Sequence, residues 1–288
     1  MTAPAPLRFD PMDLPAGTHV EDWCVLARVG WGGYGAVYFA RHVREPRRHG
    51  ALKLALKLGT LSRRLEREAE MLARVHHPHV VRLLEAGHWE VPGSTVRLPF
   101  VVMEHVQGLH LYAHFSQRKV RVREALALFE QSALGVHALH EAGCVHRDLK
   151  GPNLLVREGD GHLVVVDLGV GNYEGASPLT STPLPPGSPD YRSPEALRFQ
   201  KEHLEDFEAH YDFPRADDLY ALGVTWYRAL TGDYPLVTER EWHLARLEGR
   251  VLDSPCTVNP RVPPEVGEWV LRLLAPRAEE RPASAREV

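Results

Sequence analysis

The apolar positions of this chain recur with two different periods, and the change falls near Gln107–Gly108. Before it, short runs alternate apolar and polar residues, the period of a pleated strand. Cys24–Val29 and Ala36–Ala40 read as strands on either side of a glycine-rich turn. Ala51–Gly59, ALKLALKLG, alternates strictly and predicts a strand with Leu52, Leu54, Leu56 and Leu58 on one face and Lys53 and Lys57 on the other. Phe100–Gly108 reads as an apolar strand running into a polar linker. One helix interrupts them: in Arg63–Val75 the residues Leu65, Ala69, Leu72 and Val75 form an apolar stripe, with charges elsewhere. After residue 108 the helical period dominates, over Arg123–Ala142, Ala216–Leu230 and Pro264–Leu274. The pattern predicts an α+β chain: a Pro-rich extension over 1–20, loosely ordered until Val20, a strand-rich unit over 21–106 and a helix-rich unit over 107–288. Residues 198–214 carry Glu202, Glu205, Asp206 and Glu208 and read as a solvated helix or a docking surface.

At 288 residues, 44% hydrophobic and 25% charged, the chain has the composition of an ordinary globular protein with room for two lobes. A net charge of −4 argues against nucleic acid or anionic membrane as partners. No apolar run approaches the ~18 residues of a membrane span. The first 17 residues lack a basic-then-apolar export signal. Cys24, Cys144 and Cys256 are scattered and predict reduced thiols in a cytoplasmic protein, not a disulfide framework. His76, His77 and His79 cluster, but Pro78 interrupts them and no zinc-site partner follows, so a loop is expected. The chain stops at Glu287-Val288 inside a helical pattern, which predicts that more protein follows.

The residues able to carry chemistry are concentrated in a few runs. Val145–Val156, VHRDLKGPNLLV, places Asp148, Lys150 and Asn153 in one tight loop. A carboxylate there can accept the proton of a hydroxyl, a lysine can neutralise phosphoryl charge, and an amide oxygen is a hard ligand for Mg²⁺. Gly161–Gly169, GHLVVVDLG, sets Asp167 at a strand end beside Leu168 and a glycine. Val29–Val37 carries Gly30, Gly32, Gly35 and Val37 in G-x-G-x-x-G-x-V register, and such a backbone can approach phosphates closely. By itself that motif suits a dinucleotide-binding turn equally well. Strands on both flanks favour the other reading.

Taken in this order across roughly 30–282, these runs resemble the protein kinase family. The resemblance implies a two-lobed fold, with a small antiparallel-sheet lobe bearing one main helix and a larger, mostly helical lobe. It makes Asp148 the base, Lys150 the charge stabiliser, and Asn153 and Asp167 the metal ligands. Lys53, 23 residues after Gly30, matches the strand lysine that binds the α- and β-phosphates of ATP; Lys57 is then a solvated strand-end residue. Glu68 matches the helix glutamate that pairs with that lysine, in preference to Glu66 and Glu70. The nucleotide site would comprise Gly30, Trp31, Gly32, Gly33, Tyr34, Gly35, Val37, Ala51, Lys53, Met103, Glu104, Val106 and Leu155, held in a cleft between the lobes.

Further family features are Gly187–Glu195, GSPDYRSPE, with Ser188 to bridge Asp148 and Lys150, Glu195 to pair with Arg281, and Asp218 to hold the catalytic loop. Leu168 stands where the family has Phe, and Val170, Gly171 and Asn172 stand where many members carry a basic residue that holds an activation-loop phosphate. Arg147 could still receive such a phosphate from Thr180, Ser181 or Thr182. Lys150 favours serine and threonine over tyrosine, and GGYGAVY with LPPGSPDYRSPEA is similar to bacterial, especially myxobacterial, members. The resemblance thus implies a Ser/Thr protein kinase using ATP with Mg²⁺ or Mn²⁺ on protein acceptors, its own included. A catalytically silent, nucleotide-binding scaffold of the same fold is the alternative; the intact Lys53, Asp148, Asn153 and Asp167 speak against it.

Overall fold

The computed structural model describes residues 10–32, 35–177, 179, 182–206, 208–235 and 252–288, with the backbone alone for Trp31 and Gly32. The chain divides into two compact units, one running to Arg74 and resuming over Val81–Val106, the other comprising Val75–Val80 and Gln107–Val288. The short stretch Val75–Val80 thus leaves the first unit, where the sequence pattern had placed it. His79 Nδ1 lies 2.8 Å from Leu163 O, and Val80 bridges Val165. Those partners are 84 and 85 positions away in sequence, beyond the reach of any local pattern.

The first unit is one antiparallel sheet and one helix. Strands β1 (His19–Val20), β2 (Trp23–Gly32), β3 (Gly35–His42), β4 (His49–Leu54), β5 (Leu83–Glu90) and β6 (Arg97–Glu104) lie in the order β1-β2-β3-β4-β6-β5, and helix α1 spans Thr60–Arg74. Alternation sends Val25, Ala36, Tyr38, Ala40, Leu52, Leu54, Phe100 and Val102 to one face, where they form a core with Trp23, Trp89 and Leu98. The cross-strand register puts Val37 opposite Lys53, and Ala51 opposite Met103, so these four share the other face.

Two expectations are corrected here. The alternation of Ala51–Gly59 continues to Leu58, yet β4 ends at Leu54. Ala55 N still donates to Pro99 O, but the chain then turns through Gly59, at φ 101°, into α1. Leu58 is consequently exposed and Lys57 has left the sheet. The extension is also less loose than its prolines suggest. Over residues 10–20, Leu14 is buried in the sheet core, its N–H donates to Tyr38 Oη, and that hydroxyl donates to Pro11 O.

The second unit is mainly helical: α2 (Leu111–Gln117), α3 (Val122–Glu141), α4 (Pro194–Glu202), α5 (Arg215–Thr231), α6 (Pro255–Val258) and α7 (Pro264–Leu273). Between them lie β7 (Gly108–His110), β8 (Cys144–Val145), β9 (Leu154–Arg157), β10 (Leu163–Val165) and β11 (Asn172–Tyr173), paired as β10-β9-β7 and β11-β8. Helix α5 is buried along almost its whole length. It packs on α3 through stacked rings of Phe129 and Trp226, 4.5 Å apart, and through Trp226 Nε1 donating to Ser132 Oγ. It approaches α7 so closely that a Cβ on Gly223 would stand 2.8 Å from Leu273 Cβ, which only glycine permits without displacing α7. Among the described residues no helix is long and apolar enough to cross a membrane.

Residues 198–214 are largely solvated, as expected, but among the described ones Phe213 departs from that reading. Helix α4 starts on a serine cap, Ser193 Oγ accepting from Ala196 N, with Pro194 at the first turn. Phe213 is buried, and it forms a small core with Leu184 and Ala196, against which Phe199 and Tyr211 pack. Its acidic residues do face solvent, which is the part of the segment's composition that suggested a polar surface.

Candidate active site

In the first unit the sheet and helix bring together one ion pair. Lys53 Nζ lies 2.7 Å from Glu68 Oε2, and the two side chains are 7% and 0% exposed. Glu66 instead meets His88 at the surface, and Glu70 is exposed. The buried face of α1 therefore carries Glu68 among Ser62, Arg64, Leu65, Met71 and Leu72, with Ala69 only partly covered. Desolvating two charges is costly, and a 2.7 Å contact with full burial is the geometry that offsets it. Around the pair, Val37 and Ala51 are half-buried and Met103 is buried. Gly30 pairs with Val37 across the hairpin, and a Cβ on Gly35 would stand 2.8 Å from Leu54 O. Glu104 N donates to Arg82 O, and Val106 is half-buried. Gly33 and Tyr34 lie outside the described residues, as do Thr180 and Ser181.

In the second unit the loop after β8 is organised from beneath by Asp218, in the first turn of α5. Its carboxylate accepts from His146 N at 2.8 Å and Arg147 N at 2.9 Å, and His140 Nε2 stands 3.0 Å away. Burial opposes its charge, but the hydrogen bond and positive potential of His140 outweigh that and hold its carboxyl below the ordinary range. This anchor supports Arg147 at φ 68°, a left-handed conformation unfavourable for a residue with a side chain. Asp148 N donates to His146 Nδ1, so Nε2 carries the proton and donates to Val166 O at 3.0 Å. That bond ties the loop to Asp167, which sits at φ 60°. Leu168 beside it is buried, and Leu155 in β9 is half-buried.

The polar groups of the loop converge on Asp148. Its Oδ1 accepts from Ser188 N at 2.9 Å, and its Oδ2 lies 2.7 Å from Lys150 Nζ. Lys150 also donates to Ser188 Oγ at 2.8 Å, so Ser188 bridges the two with its amide on one side and its hydroxyl on the other. Asn153 Nδ2 donates to Asp148 O at 2.8 Å, which leaves Oδ1 as the amide atom able to coordinate a cation. Among the described residues no group of three or more His, Cys, Asp or Glu is arranged to hold a metal. Asn153 and Asp167 suit a hard cation that completes its shell with phosphate oxygens and water, as Mg²⁺ does.

One contribution was not read from the sequence. Phe213, from the segment expected to be solvated, lies under both Arg147 and Arg192, with guanidinium carbons 5.4 and 5.2 Å from its ring centroid. The signal available was a phenylalanine among acidic residues, which is weak without its partners.

Behind the site, Arg281 is fully buried and binds Glu195 through two contacts of 3.0 and 2.7 Å. Asp217 lies 3.9 Å from the same guanidinium, and neither of its oxygens is in hydrogen-bonding geometry with a donor, although Ser193 and Tyr211 are near. Burial pushes the Asp217 carboxyl up to about 7, against the pull of Ser193 and Arg281. From its ordinary 3.8 up to about 7, the folded chain therefore holds a proton that the unfolded chain has lost, so this group's contribution to stability falls as pH rises through that window. Asp217→Asn is expected to flatten that slope and to stabilise the protein above pH 7 by on the order of 3 kcal/mol. Urea unfolding at pH 5 and pH 8 checks this; a variant with the parent's pH slope would rule the assignment out.

Comparison with known proteins adds to this geometry. A family model described as the protein kinase domain matches residues 23–288. The chain is 29% identical over 257 residues to serine/threonine-protein kinase PknJ of Mycobacterium bovis, covering 87% of this chain and 41% of that protein. It is 30% identical over 285 residues to serine/threonine-protein kinase pkn2 of Myxococcus xanthus, covering 92% and 31%. It thus spans less than half the length of these curated relatives. Among solved structures, the kinase domain of Mycobacterium tuberculosis PknI is similar with a TM-score of 0.67 and 23% identity, each chain being covered to 96%.

Proposed function

The chain belongs to the protein kinase domain family, and from that premise we propose that it transfers the γ-phosphoryl group of ATP to serine and threonine hydroxyls on protein. The observation that carries this reading is the convergence on Asp148: both carboxylate oxygens are engaged, by Ser188 N and Lys150 Nζ, in a loop anchored by a buried aspartate. A carboxylate so oriented accepts the proton of the attacking hydroxyl. Lys150 spreads its charge over the transferring group. Lys53, held by Glu68, positions the α- and β-phosphates. Val37, Ala51 and Met103, on one sheet of the first unit, would contact the adenine, and backbone groups of Glu104 and Val106 would pair with its edge. Asn153 and Asp167 would hold Mg²⁺, whose charge would neutralise that of the phosphates. The relatives named serine/threonine kinases, together with Lys150, support the choice of acceptor.

The test is incorporation of labelled phosphate from ATP into the chain itself and into generic protein substrates, followed by phosphoamino-acid analysis. Label in serine and threonine is expected. Nucleotide binding with no incorporation would favour a silent scaffold instead. Lys53→Met is expected to remove nearly all transfer with the fold intact. Lys57→Met is expected to cost little, because Lys57 is exposed and a surface charge contributes ~1 kcal/mol or less. Kinetics in which Lys57 is essential and Lys53 dispensable would move the phosphate contact to the other lysine.

A further inference from the structure

Helix α5 is buried along most of its length, yet its last turn carries the half-buried Arg228. A cation at a helix C-terminus is favourable in general, but this side chain has a more particular setting. Its Nη1 donates to Tyr234 Oη at 2.6 Å and to Tyr191 Oη at 3.3 Å. Its guanidinium carbon lies 4.7 Å from the ring centroid of Tyr112 and 4.4 Å from that of Tyr234. The phenols of Tyr112 and Tyr191 are hydrogen-bonded to each other at 2.8 Å. Among the described residues no carboxylate lies within ion-pair distance of Arg228, and its Nε and Nη2 make no hydrogen bonds. Burial, first among the causes, raises the titration of all three phenols, so they stay neutral and the cluster keeps the full positive charge of the arginine.

The cluster adjoins the candidate site on two sides. The ring of Tyr112 packs on Gly151, the residue after Lys150, so tightly that a Cβ there would stand 2.5 Å from it. Tyr191 follows three residues after Ser188, which binds both Asp148 and Lys150. Arg228 itself is half-buried, not sealed from solvent. A guanidinium set against two aromatic rings, with no carboxylate partner among the described residues, is prepared for a carboxylate from outside.

We infer that Arg228, braced by Tyr112, Tyr191 and Tyr234, is a specificity-determining residue that receives an acidic side chain of the protein substrate close to the acceptor hydroxyl. This rests on the reading of the chain as a protein kinase. An Asp, Glu or phosphorylated side chain offers the planar or branched oxygens that a guanidinium fork binds, and a Lys or Arg at the same substrate position meets like charge.

The experiment uses peptides with a single serine, with one Glu or one Lys moved through each flanking position, and measures kcat and KM for the parent, Arg228→Glu, Arg228→Lys and Arg228→Met. The parent is expected to prefer Glu over Lys at one position by at least about fivefold in kcat/KM, mostly through KM. Arg228→Glu reverses that ratio, Arg228→Lys keeps its sign and Arg228→Met abolishes it. A parent ratio near one at every position overturns the inference, as does an Arg228→Glu variant that keeps the parent's preference. If Arg228→Glu is inactive on all peptides, Arg228→Met decides: loss of the preference supports the site and retention rejects it. A parent that phosphorylates no peptide and no generic protein overturns the kinase reading and this inference with it.

Discussion

Asp148→Asn is expected to slow phosphoryl transfer by about a thousandfold or more while leaving Mg·ATP affinity within about twofold of the parent. The substitution keeps the shape of the side chain and its acceptor for Ser188 N, but it removes the basicity that takes the hydroxyl proton and the charge that faces Lys150. The contacts proposed for the nucleotide phosphates lie elsewhere, at Lys53, Asn153 and Asp167. Single-turnover transfer, together with a nucleotide titration of the same preparation, separates the two effects. Transfer within about tenfold of the parent would remove Asp148 from the role of base. A parallel collapse of nucleotide binding would mean that the loop, and not the base alone, had been lost.

Arg281→Leu is expected to destabilise the protein by ~3–5 kcal/mol. The guanidinium is fully buried, makes two contacts with Glu195, donates to Ala275 O at 2.9 Å and Ala216 O at 3.2 Å, and lies 4.9 Å from the ring centroid of Tyr220. Removing it leaves the partly buried Glu195 carboxylate and two carbonyls without their donor. High salt should weaken the pair little, because burial limits screening. Urea denaturation of the single variant, of Glu195→Leu and of the double variant measures the coupling. The double variant is expected to be more stable than the sum of the two losses predicts, since the second substitution removes the orphaned charge. A single-variant loss below ~1 kcal/mol would show that Glu195 finds another partner.

Asp217, adjacent to Asp218 in sequence, illustrates how context separates identical residues. Asp218 receives two backbone N–H groups and faces His140, and its carboxyl titrates low. Asp217 is equally buried without such donors, and its carboxyl titrates high. The helical pattern of Ala216–Leu230 places both at the start of one helix but says nothing of what each side chain meets.

The sequence by itself determined what depends on residue type, order and short spacing. Asp148, Lys150 and Asn153 lie within six residues, so one loop suffices to bring the groups together. Resemblance to the family, through the interval from Gly30 and the place of Glu68 in the helix, singled out Lys53 and Glu68; periodicity alone left Lys53 and Lys57 on one strand face. The change of period near Gln107 marked where strands give way to helices, because strand and helix geometry are periodic.

Only the tertiary structure decided the rest. Alternation in ALKLALKLG could not locate the end of β4, because the strand stops where its neighbour β6 and the turn at Gly59 allow, not where the pattern lapses. Leu14 is ordered by Tyr38, and Val75–Val80 joins the second unit through Leu163 and Val165. Phe213 looked like part of a solvated insertion until Arg147, Arg192 and Leu184 were seen around it. Arg228 looked like an ordinary helix-end cation until Tyr112, Tyr191 and Tyr234 closed on it. In each case the deciding partner comes from another element. Its identity is set by which elements pack together, and that depends on burial summed over the whole unit.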